Sequence, residues 1–163
     1  MRNALFALIV FCWATLGSSS PIPADDSVPA APARSELTLV TQTGKRFLLQ
    51  VEIANSAAEK RRGLMYRETL EQTQGMLFLY QPAAEVAIWM KNTLLSLDIL
   101  FIDVTGRIAR IAPDAVPFSE TNLRSGAPVR GVLEINGGMT GSLGISVGDR
   151  VVYAPLWPDP DPH

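Results

Sequence analysis

The stretch 97–112 reads "LDILFIDVTGRIARIA". Leu97–Asp103 is an apolar run too short for a helix and rich in β-branched and aromatic residues, which predicts a central strand. Val104-Thr105-Gly106 is a turn signal, with Asp103 as its first polar residue. "RIARIA" then supplies the partner strand of a hairpin. A strand that is apolar at nearly every position is covered on both faces, so its neighbours must also be strands or helices of a packed domain. Asp98 is the exception inside the run.

Outward from this hairpin the same grammar repeats. "ELTLVTQT" and "RFLLQVEIA" are strand-like, joined by a turn at Thr43-Gly44-Lys45. Leu37, Leu39 and then Phe47, Leu49, Val51, Ile53 alternate as strands with one buried face do. Ser56 followed by Glu59 forms a capping-box signature over a short helix at about 56–63, ended by Gly63. Gly75 opens the apolar strand "MLFLY", Pro82 breaks it, and "EVAIWM" resumes an extended path. Residues 113–128, with Pro113, Pro117, Gly126 and Pro128, predict a long loop, and such loops in compact domains are often functional. "VRGVLEI" is a further strand. Asn136 is placed to cap a short helix over 137–143, and Gly148-Asp149 turns the chain into a closing strand. The expected fold is mainly β with short α helices (α+β): a compact, antiparallel-rich, barrel-like sheet, since closure conceals sheet edges. Consecutive strands are expected to pair antiparallel.

The 163 residues allow one domain with extensions. The start, "MRNALFALIVFCWATLGSSS", has one Arg, an apolar stretch of about thirteen residues from Ala4 to Leu16, and then small polar residues. That is the pattern of a secretory signal, shorter than the roughly 20 residues of a bilayer span. The expected division is a signal peptide at 1–20, a flexible linker at 21–35, a folded domain at 36–154 and a Pro/Asp-rich tail at 155–163. The product is expected to be periplasmic or secreted, or N-terminally membrane-anchored if the signal is not cleaved. Once it is cleaved no stable membrane span is expected. The only cysteine, Cys12, lies within the signal, so the mature domain has no disulfide and no thiolate nucleophile.

Composition narrows the chemistry. Fourteen Lys/Arg against sixteen Asp/Glu give a net charge of −2. Lys60-Arg61-Arg62 is the one basic cluster, and without a wider basic stripe no nucleic-acid partner is expected. The only histidine is His163, at the end of the chain, which removes Ser-His-Asp catalysis and the usual zinc sites. Met65, Met76, Met90 and Met139 lack the spacing of a copper site and read as core fillers. No metal and no cofactor are expected.

Two polar groups of residues carry the functional expectation. "WMKNT", 89–93, leaves a strand and enters a turn. If extended, Trp89, Lys91 and Thr93 share one face and Met90 and Asn92 the other. Lys91 can hold an anion, Asn92 can read a carbonyl or amide, and Trp89 can wall a pocket. The plainer reading has Asn92 and Thr93 bonding the turn backbone, Trp89 packing and Lys91 snorkelling. Asp98 and Glu134, each within an apolar run, can form an acid/base pair across a cleft. The plainer reading makes Asp98 a buried ion pair or a turn-fixing carboxylate. Gly137-Gly138 exposes backbone N–H groups that can receive an anion.

The order of Arg62-Gly63-Leu64-Met65, Gly75-Met76-Leu77-Phe78, Trp89-Met90-Lys91-Asn92-Thr93, Leu97-Asp98-Ile99-Leu100-Phe101-Ile102-Asp103, Val132-Leu133-Glu134-Ile135-Asn136-Gly137-Gly138 and Gly148-Asp149 resembles the DUF192 family, also called UPF0127. The resemblance spans about 37–153. It implies a single compact domain on a small β-barrel-like sheet, often exported, with no established activity. Many relatives have Ala where this chain has Gly137-Gly138.

The expected function is an exported, monomeric binding or accessory domain. It would recognise a small polar ligand or an envelope protein through Trp89, Lys91, Asn92, Thr93, Asp98 and Glu134. The alternative is a carboxylate-dependent hydrolase acting on cell-envelope glycans.

Overall fold

The computed structural model describes residues 33–160. The expected signal, most of the expected linker and His163 lie outside the described residues. The ordered elements are β1 (Arg34–Val40), β2 (Arg46–Ala54), α1 (Ala57–Arg62), β3 (Gln74–Ala84), β4 (Ala87–Ile88), β5 (Leu97–Ile102), β6 (Ile108–Ala115), β7 (Leu123–Arg124), β8 (Val129–Asn136), α2 (Met139–Leu143) and β9 (Arg150–Val152).

Seven strands form one sheet in the order β6-β5-β8-β3-β2-β1-β9, and β4 and β7 form a separate pair. The sheet curls around one apolar layer containing Leu39, Val51, Leu100, Leu133, Ile135 and Val151. Its edge strands meet at one end, where Arg107 bridges to Arg150 and the Ile108 amide donates to the Asp149 carbonyl at 2.9 Å. The result is a half-barrel with most pairings antiparallel, as the alternation of strands and tight turns implied. A second apolar layer, with Met76, Phe78, Met90, Ile99, Phe101 and Val132, covers the opposite face. Strand β5, second in the sheet between β6 and β8, is therefore buried at all six positions. That double cover is why its sequence runs apolar without alternation.

Several expectations need correction. Consecutive strands β2 and β3 pair parallel, not antiparallel. A parallel pair cannot be joined by a tight turn, and the intervening chain with α1 supplies the crossover. Pro82 does not end β3. The Gln81–Pro82 peptide is cis, and β3 continues to Ala84 with a register shift against β8. The 113–128 segment is not all loop, because β6 runs to Ala115 and Leu123–Arg124 pairs with β4. The first described strand starts at Arg34. Packing also extends past residue 154. Trp157 is buried in the first layer, and a Cβ on Gly131 would stand 2.7 Å from its ring. The aromatic bulk of Trp157 outweighs the prolines around it.

The capping box at α1 is present. The Ser56 hydroxyl accepts from the Glu59 amide, and the Glu59 carboxylate accepts from the Ser56 amide at 2.7 Å. Hydrogen bonds from Ser56 and Asn55 hold the Glu59 carboxyl below its usual range. Ser56→Ala is expected to cost about 1 kcal/mol in urea denaturation. An unchanged midpoint would show that α1 is fixed by packing alone.

Candidate functional site

The "WMKNT" stretch folds as a β-turn. The Thr93 amide donates to the Met90 carbonyl at 3.0 Å, and Asn92 has φ +54°. Asn tolerates that left-handed position better than other non-glycine residues. The turn breaks the alternation expected of an extended run. Met90 is buried, Thr93 is buried and Trp89 is half exposed. The Thr93 hydroxyl donates to the Lys91 carbonyl at 3.3 Å, whereas Asn92 donates its amide to the Tyr66 hydroxyl at 2.8 Å. Lys91 turns outward, 5.9 Å from the Trp89 ring centre and 3.6 Å from Glu120. Lys91 and Asp98 do not meet.

Asp98 is 0 % exposed. Its Oδ1 accepts from the Asp114 and Gly138 amides at 2.9 and 3.0 Å. Its Oδ2 accepts from the Thr140 amide and hydroxyl at 2.7 and 2.6 Å. Burial pushes the Asp98 carboxyl up, but these four hydrogen bonds outweigh it and leave the group below the usual carboxylate range. The anion awaited at Gly137-Gly138 is therefore the chain's own. Asn136 does not cap α2. Gly138 stands at that N-cap with φ +77°, and Asn136 donates to the Leu70 carbonyl at 2.9 Å. Asp98 ties β5 to the end of β6 and to the start of α2.

Asp98 and Glu134 are not an acid/base pair. In the β5–β8 register Asp98 lies opposite Ile135, and Glu134 lies opposite Ile99. Side chains alternate faces along a strand, so the two carboxylates point to opposite sides of the sheet. Glu134 shares its face with Met76, its partner on β3, and with Phe78 and Tyr80 farther along that strand. There it lines a pocket of about 210 Å³.

The pocket lies beneath α1. Its walls are Leu64, Met65, Phe78, Tyr80, Ile88, Trp89, Met90, Thr93 and Leu97, and Lys60, Arg61, Arg62 and Gly63 border it from the helix end. Gly63 ends α1 at φ +47°, and a Cβ there would come within 3.2 Å of the Phe78 ring. Glycine is thus needed both for the backbone and for the close approach. Lys60 Nζ lies 4.6 Å from the Tyr80 ring centre. Glu134 is only 6 % exposed and makes no hydrogen bond or ion pair with another described residue. Burial alone raises its carboxyl to about 8. Burial, together with the Glu134 charge, raises the Tyr80 hydroxyl to about 12.

Of the six expected residues, the pocket gathers Trp89, Thr93 and Glu134. Lys91, Asn92 and Asp98 lie elsewhere. Sequence reading missed Tyr80, Phe78, Leu64 and the α1 cations. The run Met76-Leu77-Phe78-Leu79-Tyr80 is apolar throughout and does not show which face lines a pocket, and the register against Glu134 is set only by long-range pairing. A second hollow, of about 690 Å³, lies beyond Arg62 and Met65. Of its two acids, Glu59 is held in the capping box and Glu52 is partnered by Arg67 through two hydrogen bonds, one at 2.7 Å. Among the described residues no group of three His, Cys, Asp or Glu side chains converges on a metal position, and no helix is long and apolar enough to cross a membrane.

Comparison with known proteins agrees with this architecture. A crystal structure of a Sinorhizobium meliloti 1021 protein, provisionally described as a transcription regulator, is 42 % identical, with a TM-score of 0.75 over 77 % of this chain and 98 % of that one. A Novosphingobium aromaticivorans DSM 12444 protein of unknown function is 38 % identical, with a TM-score of 0.73 over 77 % of this chain and 89 % of that one. Among curated proteins nothing matches the chain significantly. The family model for DUF192, described as "Uncharacterized ACR", matches residues 38–153, nearly the whole described sheet, and the chain belongs to that family.

Proposed function

We propose that this chain is a small exported binding domain that takes a compact ligand into the pocket beneath α1. The observation that carries this reading is Glu134. Its carboxyl is largely desolvated yet not sealed in: no fully buried side-chain oxygen or nitrogen among the described residues lacks a partner, so the unbonded carboxyl stays reachable from the pocket. It lines a cavity with apolar walls, the arrangement by which binding sites orient a ligand through a few polar groups. Trp89 and Thr93 contribute to the same walls. The secretory pattern of the first twenty residues supports a periplasmic or secreted domain, or one anchored at its N-terminus if that segment is kept.

A fragment screen by heteronuclear NMR tests the reading. Hits are expected to shift the amides of Gly63, Thr93 and Glu134 together. Glu134→Leu keeps the side-chain bulk but removes the polar atoms, and is expected to weaken those hits about tenfold or more. Shifts scattered over the surface, or hits that bind the variant equally well, would contradict it.

A further inference from the structure

Lys60, Arg61 and Arg62 are consecutive cations at the end of α1, all bordering the pocket. None forms an ion pair with a described residue, whereas Arg34 and Arg67 pair with Glu52, Arg46 with Asp159 and Lys91 with Glu120. Cations in a last turn complement the helix dipole, which accounts for their sign but not for their position at a pocket. The pocket's own acid does not serve them. No ion pair joins Glu134 to any of the three. Tyr80 on β3 and these three cations on α1 line the pocket together with Glu134, and its β4 and β5 residues are not titratable. The pocket thus has two separate polar ends. One is a positively charged border, and the other is a carboxyl that accepts a hydrogen bond and, when protonated, donates one. Leu64, Phe78, Met90 and Leu97 lie among the walls between them.

We propose that the ligand is a compact amphipathic anion. Its acidic head is held by Lys60, Arg61 and Arg62, its apolar body lies against Phe78 and Met90, and a hydrogen-bonding group at its far end meets Glu134. A cavity of about 150 Å³ holds a benzene ring, so this one accommodates roughly ten non-hydrogen atoms. A cationic ligand would meet like charge at the border. The inference rests on the binding reading above and specifies its ligand class.

The test titrates the full chain at pH 7 with para-methoxybenzoate, para-ethylbenzoate and para-methoxybenzylamine, following the Gly63 and Thr93 amides. These probes share a ring and differ in the anion or in the acceptor. Para-methoxybenzoate is expected to bind about fivefold or more tightly than para-ethylbenzoate, which lacks the acceptor. The amine is expected to bind at least about tenfold more weakly than para-methoxybenzoate. In the K60Q/R61Q/R62Q variant the preference for acid over amine should vanish, and added salt should erode it in the natural chain. If the amine binds as well as the acids, or neither acid binds at millimolar concentration while other fragments do, the ligand class is wrong and the binding reading survives. If no fragment of any charge enters the pocket, both fall.

Discussion

Asp98→Ala is expected to destabilise the fold by on the order of 4 kcal/mol, enough to leave a small domain largely unfolded under mild denaturant. The change strands the amides of Asp114, Gly138 and Thr140 and the Thr140 hydroxyl, all of which now donate to the carboxylate. Each stranded buried donor costs about 1–3 kcal/mol. Asp98→Asn separates charge and geometry from size. Its carbonyl can replace Oδ1, but its NH2 then faces the Thr140 amide, a donor against a donor. A loss close to that of the Ala variant is expected in urea denaturation. A loss below about 1 kcal/mol for either variant would show that the network is not what fastens β5 to α2. The pH dependence has a definite sign. The folded-state carboxyl lies below its usual value of 3.8, so its contribution is present above that value and is lost as pH falls through the lower, folded one. Asp98→Ala should therefore flatten the acid limb of the stability profile.

Glu134→Gln is expected to work in the opposite direction and stabilise the protein. The usual glutamate value is 4.5, and burial lifts the folded one to about 8. Below 4.5 both states are protonated and Glu134 costs nothing extra. Between 4.5 and about 8 the unfolded chain releases the proton and the folded chain keeps it, so stability falls as pH rises and then levels off. The amide stays neutral throughout. The variant should match the natural protein near pH 4 and exceed it by a few kcal/mol, on the order of 2–4, at pH 8. Equal stability of the two proteins at pH 8 would mean that the carboxyl finds a partner when it ionises. If the gain appears while fragment binding weakens, Glu134 trades stability for recognition, as binding groups often do.

Much of the architecture was legible in the residues, and the exceptions have physical causes. The hairpin of β5 and β6, the capping box at Ser56 and the turn at Gly106 rest on local chemistry, which a short window of sequence contains. The parallel pairing of β2 with β3 and the burial of Trp157 do not. They depend on which distant strands meet, and β-pairing takes its register from the whole sheet. The candidate site divides along the same line. Trp89, Thr93 and Glu134 stand out as polar or amphipathic residues among apolar ones, and all three reach the pocket. Asp98 carries the same signature for a different reason, because its partners are backbone amides contributed by residues 114, 138 and 140. Spacing also cannot say on which side of the sheet a carboxylate lies relative to one on another strand. That single parity separates Asp98 from Glu134 and removes the acid/base pair. Lys60–Arg62 resembles a solvated helix face until Gly63 brings the helix end onto Phe78.

Glu134 is a largely buried acid open to the pocket, with no hydrogen-bond or ion-pair partner among the described residues. Carbon-detected NMR of its side-chain carboxyl, followed from pH 3 to pH 10 and assigned with Glu134→Gln, measures that state directly. A midpoint near 8 is predicted, and a midpoint near the ordinary 4.5 would contradict the account.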